Sequence, residues 1–195
     1  MTVTRTTSGA RRREAILEAA LTCFLERGFA ATTIADIRQA SGATTGSIYH
    51  FFAGKGALAE ALLGQAVAGW SAASGASDAD ASAEEAIKGS IRGLLRWGLA
   101  NPRHLRFMEE IRTRTGLGGE FAEVRRMLDA GFAAAADRFE AWARAGAVRT
   151  LPFPLAQSLM AGPAYNYLRL MAAGHPSRPE DIDELVEAAW AVVKP

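Results

Sequence analysis

Residues 28–58, GFAATTIADIRQASGATTGSIYHFFAGKGAL, decide the fold of the first part of the chain. Thr32 or Thr33 is suited to cap a helix, because a hydroxyl accepts a hydrogen bond from a free N–H group of the first turn. Ser41-Gly42 then provides a turn. Thr44 is suited to cap a further helix, predicted at about 45–51. The stretch therefore predicts two short helices joined by a glycine turn.

The second of these helices has small polar residues at its start and aromatic residues at its end. Small side chains allow a helix to approach DNA closely, and their hydroxyl and N–H groups can reach phosphates or base edges. Ile48 and Phe52 are predicted to face the core, which leaves Tyr49 and His50 for the opposite surface. This layout favours a helix-turn-helix whose second helix enters a DNA groove.

Charge and composition agree with a DNA-binding N-terminal part, residues 1–58, followed by a helical remainder. Residues 1–58 contain seven basic and four acidic residues, a net charge of +3, whereas the remainder carries −2. The single cysteine, Cys23, excludes an internal disulfide and indicates a reducing, cytoplasmic location. No apolar run is long enough for a membrane span, and none follows the N-terminal arginines in the manner of a secretory signal.

The rest of the chain predicts helices and no strand. Alanine, leucine, arginine and glutamate dominate, and alternation of β-branched residues is absent. Pro163 lies inside one of these segments and predicts a kink there. We expect an all-α protein of nine helices, over about 10–27, 33–41, 45–51, 55–73, 83–99, 102–115, 120–145, 155–173 and 179–193. Loops are expected at 71–82, at the glycines Gly116, Gly118 and Gly119, and at 146–154.

Residues 11–62 resemble the DNA-binding segment of the TetR family of bacterial regulators. The shared pattern is a threonine opening the second helix, an apolar core, an alanine-glycine turn, a small-residue helix start and an aromatic ending followed by lysine. The matching residues are Thr33, Ile34, Ile37, Gly42, Thr44, Gly46, Ile48, Tyr49, Phe52, Lys55 and Leu58. Phe51 departs from the usual His or Tyr, and Gly56 replaces the usual acidic residue.

The resemblance implies a TetR-like architecture with two domains. A helix-turn-helix domain is expected over 10–70, with the motif itself at about 33–52, and a ligand-binding and dimerisation domain over 71–195. Implied partners are a double-stranded operator, a second copy of the chain and a small-molecule effector, with no membrane and no cofactor. The implied function is a repressor that binds a near-palindromic operator and is released by the effector. A transcriptional activator and a helical interaction module with weakened DNA binding stay as alternatives.

Three groups of candidate residues follow from the motif and from the distribution of large side chains. The predicted DNA contacts are Thr33, Thr44, Thr45, Gly46, Ser47, Tyr49, His50 and Lys55. The candidate ligand contacts are Trp70, Trp97, Phe107, Met108, Arg112, Phe121, Trp142 and Tyr165. The candidate dimer contacts are Leu155, Leu159, Leu168, Leu185, Ala189 and Val192.

Structural interpretations of the same residues stay open. Tyr49 can be a core aromatic, Lys55 an ordinary solvated lysine and Thr44 only a cap. The arginines at 11–13 fit a solvated helix start as well as a groove-binding arm, and Cys23 fits the core. Any single aromatic residue of the body fits the core as well as a ligand site.

An enzyme is disfavoured by the sequence. The three histidines, His50, His104 and His175, lie far apart and form no metal-ligand spacing. No dinucleotide-binding or Walker pattern occurs, since Gly54-Lys55 lacks the upstream glycine of a phosphate loop.

Overall fold

The computed structural model describes residues 3–74, 81–115 and 121–195, with side chains described for 8–74, 81–111 and 121–195. Within these ranges the protein is all-α, as predicted, with nine helices and no strand. The helices are α1 Val3–Arg27, α2 Ile34–Ser41, α3 Thr45–Phe51, α4 Lys55–Ala73, α5 Ala83–Ala100, α6 Pro102–Thr115, α7 Ala122–Arg144, α8 Phe153–Ala172 and α9 Asp181–Ala191.

Most helix bounds lie within two residues of those expected, and α1 is the main exception. It begins at Val3 rather than near residue 10, because extending an existing helix costs far less than nucleating one, even through a glycine at position 9. Residues 75–80 of the predicted loop and the glycine break at 116–119 lie outside the described residues. Pro163 lies inside α8, and the kink predicted there stays a prediction.

The chain forms two compact units. The first comprises Met1–Ala66 and Arg106–Arg125, and the second comprises Val67–Leu105 and Arg126–Pro195. The domain boundary near residue 70 stays a prediction, but the first unit also takes in residues 106–125, which the sequence had assigned to the ligand-binding domain. Helices α4 and α6 each carry residues of both units.

Aromatic side chains from distant parts of the sequence form the core of the first unit. Phe24 of α1 stacks on Phe107 of α6 with ring centroids 5.5 Å apart. Phe29 packs edge-on against Phe121 at 5.9 Å. Phe24, Phe107 and Phe121 are fully buried. Such aromatic pairs contribute about 0.5–1.5 kcal/mol each beyond their buried area, so α6 stabilises the helix that precedes the helix-turn-helix.

Close helix contacts organise the second unit. A Cβ atom built on Gly93 of α5 would lie 2.0 Å from the carbonyl oxygen of Ala73, so only glycine fits there. Gly98 similarly admits Leu168 of α8, whose Cδ1 would lie 2.6 Å from an added Cβ. The apolar core contains residues of α5, α7, α8 and α9. We therefore expect that side chains larger than glycine at Gly93 and Gly98 disturb the packing of α5.

Candidate nucleic-acid interface

Helix α2 is fixed at its start by a reciprocal cap. The Thr33 hydroxyl accepts a hydrogen bond from the Asp36 N–H group at 3.2 Å and donates to Asp36 Oδ2 at 2.7 Å. The Thr33 N–H group also donates to Asp36 Oδ2, at 2.9 Å, which completes a capping box. The choice between Thr32 and Thr33 is thereby settled: Thr33 is the cap, whereas Thr32 is buried and donates to backbone carbonyls of Cys23 and Gly28.

The carboxylate of Asp36 links α2 to α1. Arg27 Nη1 lies 2.7 Å from Asp36 Oδ1. Hydrogen bonds from the Thr33 hydroxyl and N–H groups, helped by the charge of Arg27, lower the pKa of Asp36 below its ordinary value. Because the folded protein favours the ionised form, this cap is strongest above about pH 4, the ordinary pKa of an aspartate, and is lost as the carboxylate is protonated at lower pH.

Helix α3 is held by its turn, its cap and two buried side chains. Gly42 ends α2 in the left-handed conformation with φ of 65°, where glycine avoids the strain of other residues. Thr44 caps α3 by accepting from the Ser47 N–H group at 3.1 Å. Ile48 and Phe52 are 0% and 5% exposed. The predictions of this cap and of these two core residues are confirmed.

The opposite face of α3 points to solvent. Thr45, Gly46 and His50 are exposed, and Tyr49 is 53% exposed, so the core interpretation of Tyr49 is wrong. A Cβ atom added to Gly46 would meet nothing within 4 Å. His50 also touches Phe51, with ring centroids 4.9 Å apart. Four of the predicted DNA contacts therefore share one open surface.

The other four predicted DNA contacts have structural roles in addition. Thr33 and Thr44 are the caps of α2 and α3, and Ser47 is half-buried and bound to Thr44. Lys55 is half-buried, and its ammonium donates to the carbonyls of Phe29 and Ala30 at 2.8 and 3.0 Å. It also lies 4.7 Å from the centre of the Phe29 ring. Lys55 is thus not an ordinary solvated lysine, and its phosphate contact stays a prediction.

Sequence reasoning missed two side chains that support this surface. Glu110 Oε1 of α6 accepts a hydrogen bond from the Phe29 N–H group at 3.0 Å, across 81 positions of sequence. Arg13 lies 5.2 Å from the centre of the Phe52 ring, which gives one of the N-terminal arginines a packing role. A pattern within one segment cannot reveal either contact, because each pairs residues from separate segments of the chain. Cys23 is buried, and burial raises the pKa of its thiol, in agreement with a core role.

The candidate ligand contacts do not form one cluster. Trp70 and Tyr165 pack edge-on at 6.3 Å, and Trp97 lies against Gly69. The indole N–H group of Trp70 is buried and has no hydrogen-bond acceptor among the residues that the structure describes. Trp142 is half-buried, with Arg138 5.9 Å from the centre of its ring. These four candidates belong to the second unit.

The remaining ligand candidates belong to the first unit. Phe107 and Phe121 are fully buried against Phe24 and Phe29, so they fill the core beside the helix-turn-helix instead of lining a site in the second unit. Large aromatic residues mark a core and a ligand site alike, so the sequence alone does not distinguish the two. Met108 is half-buried in the first unit, and the side chain of Arg112 lies outside the described residues.

The candidate dimer residues divide by exposure. Leu155 and Leu159 of α8 are 48% and 41% exposed. Leu168 and Ala189 are buried in the core of the second unit and are therefore unable to reach a partner. The sequence did not separate them from the exposed candidates, because α8 and α9 are apolar on more than one face. Leu185 and Val192 are half-buried. Leu170 and Phe132 are exposed apolar residues that the sequence analysis did not select.

Two further features of the described ranges bear on function. No helix there has the length and apolar character that crossing a bilayer requires. Among the same residues, no three histidine, cysteine, aspartate or glutamate side chains gather as a metal site would need.

Comparison with known proteins identifies the family to which the helix-turn-helix segment is similar. Residues 16–62 match the sequence profile of bacterial regulatory proteins of the tetR family. The repressor KstR2 of Rhodococcus jostii is 44% identical over 52 residues, which cover 27% of this chain and 26% of KstR2. The chain thus matches about a quarter of the length of such curated relatives. The repressor AcnR of Corynebacterium diphtheriae is 29% identical over 136 residues, covering 66% of this chain and 65% of AcnR.

The fold agrees with these matches over nearly the whole chain. A TetR family transcription regulator from Marinobacter aquaeolei superposes with a TM-score of 0.79 and 22% identity, covering 97% of this chain and 98% of that structure. The helix-turn-helix segment, with its cap, turn and buried anchors, and the all-α fold lead to one conclusion: residues 16–62 belong to the tetR family of bacterial regulatory proteins, and the chain has the fold of such regulators.

Proposed function

We propose that the protein is a DNA-binding transcriptional repressor that acts in the cytoplasm as a homodimer and is released from its operator by a small molecule. The observation that carries the proposal is the exposed face of α3. Thr45, Gly46, Tyr49 and His50 lie there on a helix whose other side is anchored by Ile48 and Phe52. A rigid helix with small residues at its start and hydrogen-bonding groups beyond them suits the major groove.

Individual residues of this surface have separate roles in the proposal. Gly46 leaves the space that a DNA backbone or base edge would occupy. Tyr49 and His50 offer a hydroxyl and a ring N–H group for phosphates or bases. Thr33, Thr44 and Ser47 add polar groups at the helix ends. Lys55 mainly positions the turn before α2, because two of its three N–H groups already have acceptors.

The dimer would form through the exposed apolar side of α8. Leu155 and Leu159 lie one helical turn apart, and Leu170 follows on the same helix at 38% exposure. Phe132 of α7 touches Phe153 of α8 at 5.0 Å and is itself 43% exposed, which widens the apolar surface. Large exposed apolar surfaces of this kind mark interaction sites. Two copies would place two α3 helices on successive half-sites of a near-palindromic operator.

Release by an effector would follow from competition between two states of the dimer. The effector must bind more tightly to the state that fits DNA poorly, and DNA then weakens effector binding by the same factor. Helices α4 and α6 are the candidate links, because each is continuous through residues of both units.

The test uses the DNA upstream of the protein's own gene. Footprinting with purified protein is expected to protect two half-sites about one helical turn apart, with two protein chains bound to each operator. Leu159→Glu is expected to produce monomers and lose this footprint, whereas Ala100→Glu, at an exposed position of α5, is expected to retain both. Absence of any protected site at low salt would contradict DNA binding and favour an interaction module. A dimeric Leu159→Glu variant would contradict the dimer surface.

A further inference from the structure

A cavity of about 240 Å³ opens in the second unit at the ends of α5 and α8 and the start of α6. Seven of its nine lining residues are apolar or glycine. Leu105 and Leu168 form buried parts of its wall, at 7% and 1% exposure. It contains none of the eight residues that the sequence singled out for ligand binding. The lining residues are Gly98, Leu99, Pro102, Leu105, Leu168, Met171, Ala172, His175 and Ser177.

The polar edge of this cavity is held in place by the backbone. Gly174 turns the chain after α8 with φ of 92°. Its N–H group donates to the Met171 carbonyl at 2.9 Å, and the His175 N–H group donates to the Leu170 carbonyl at 3.2 Å. These two bonds close the end of α8 in the manner of a glycine-based helix stop. His175 is therefore positioned at the cavity, where its imidazole can donate or accept a hydrogen bond.

The lining determines the chemistry of the occupant. It contains no carboxylate, ammonium or guanidinium group. A charged ligand would lose its hydration there without gaining an ion pair, which is costly. A cavity of about 150 Å³ is known to hold one benzene ring, so this larger one has room for a ring with a small substituent. We propose that the cavity binds a neutral, mainly apolar molecule of one ring, whose single polar group hydrogen-bonds with His175.

The proposal deepens the proposed function and rests on it in one respect, namely that the occupant acts as the effector. Binding itself can be measured without DNA. The chain has five methionines, and of those that the structure describes, only Met171 lines the cavity. With the methionine methyl groups labelled with ¹³C, p-cresol is expected to shift the Met171 signal in a saturable manner. The signal of Met127, which is exposed on α7, is expected to stay in place. Benzoate and benzylamine are expected to leave both signals unchanged.

Variants separate the cavity from its surroundings. Ala172→Phe fills the cavity and is expected to abolish the Met171 shift, whereas Ala173→Phe, at the next and exposed position, is expected to retain it. His175→Ala leaves the apolar wall intact. It is expected to lower the affinity for p-cresol to that for toluene, with toluene binding unchanged. This second variant keeps the test valid if Ala172→Phe fails to fold.

Three results would overturn the proposal: a p-cresol shift that persists in folded Ala172→Phe, equal binding of benzoate, or equal shifts of Met171 and Met127. The effector role is tested with the upstream DNA. Release of that DNA by p-cresol from the wild type but not from Ala172→Phe supports the role. Release that persists in Ala172→Phe rejects this cavity as the effector site while the repressor function stands. Failure to bind DNA rejects the repressor function, and the Met171 shift still decides whether the cavity binds its ligand.

Discussion

Lys55 offers a direct way to separate a structural role from a DNA contact. Replacing it with methionine keeps most of the aliphatic stem and removes the ammonium. The hydrogen bonds to the Phe29 and Ala30 carbonyls, at 2.8 and 3.0 Å, are then lost together with the contact to the Phe29 ring. Charged hydrogen bonds contribute about 1.5–3 kcal/mol and an exposed cation–π contact about 0.5–1 kcal/mol. The Ala30 carbonyl can regain water in the variant, since its bond is exposed, whereas the bond to the Phe29 carbonyl is part-buried.

We therefore expect the variant to lose about 2 kcal/mol of unfolding free energy, less than the sum of these contributions, because the ammonium is only half-buried and water replaces part of the lost hydrogen bonding. For a chain of this length, such a loss lowers the melting temperature by roughly 4–8 °C. Thermal unfolding followed by circular dichroism at a fixed protein concentration measures the change. Lys194→Met, at the exposed C-terminal lysine, is the matched control and is expected to change stability by less than about 0.5 kcal/mol.

DNA binding by the same variant distinguishes the two roles. Each phosphate contact adds about 0.9 to the slope of log K against log salt. A positioning role predicts that Lys55→Met retains the wild-type slope, while its affinity falls because α2 and α3 are less well held. A stability equal to that of the wild type, together with a slope reduced by about 1, would refute the structural role and assign Lys55 to a phosphate.

Three further predictions follow from the described contacts. Thr33→Ala removes the α2 cap and is expected to cost about 1 kcal/mol in urea unfolding; the wild-type midpoint in the variant would contradict the capping role. Gly93→Ala is expected to destabilise the protein by more than about 2 kcal/mol, because the added methyl group meets the Ala73 carbonyl. Gly89→Ala is the control: it has open space and is expected to stabilise α5 by about 0.5–1 kcal/mol. Equal melting temperatures of the two variants would disprove the packing argument. The folded protein holds the pKa of Asp36, Glu85 and Asp181 below their ordinary values. The stabilisation by these carboxylates is therefore present above about pH 4 and is lost as pH falls through the lowered pKa values. Asp36→Asn is expected to be less stable than the wild type at pH 7 and less sensitive to acid, and an unchanged acid midpoint of unfolding would argue against this role of Asp36.

Local features of the helix-turn-helix were predictable from the sequence. Thr44, Gly42 and Ile48 act through their own turn or helix, so spacing along the chain was sufficient to place them. Contacts between distant segments were not predictable. Lys55 reaches carbonyls 25 and 26 positions away, and Glu110 reaches an N–H group 81 positions away. No periodicity within one helix encodes such pairings.

The candidate sites of the body illustrate the same limit. An apolar residue on α8 can face the core or a partner, and Gly98 decides the matter for Leu168 by letting it pack closely. Phe107 is similarly assigned to the first unit by its stack on Phe24. The cavity beside His175 depends on a glycine turn after α8 and on small residues of two helices. Its residues are individually ordinary, so only their arrangement in space distinguishes it.

The central claim is that the exposed face of α3 enters DNA, and Gly46 tests it most directly. Gly46→Leu adds a side chain where nothing lies within 4 Å, and Gly131→Leu does the same on α7. Both variants are expected to fold and melt like the wild type. The measurement is the equilibrium affinity for the upstream DNA at one fixed salt concentration. We predict at least a tenfold loss for Gly46→Leu, about 1.4 kcal/mol or more, and wild-type affinity for Gly131→Leu. Wild-type affinity of a folded Gly46→Leu variant would contradict the account.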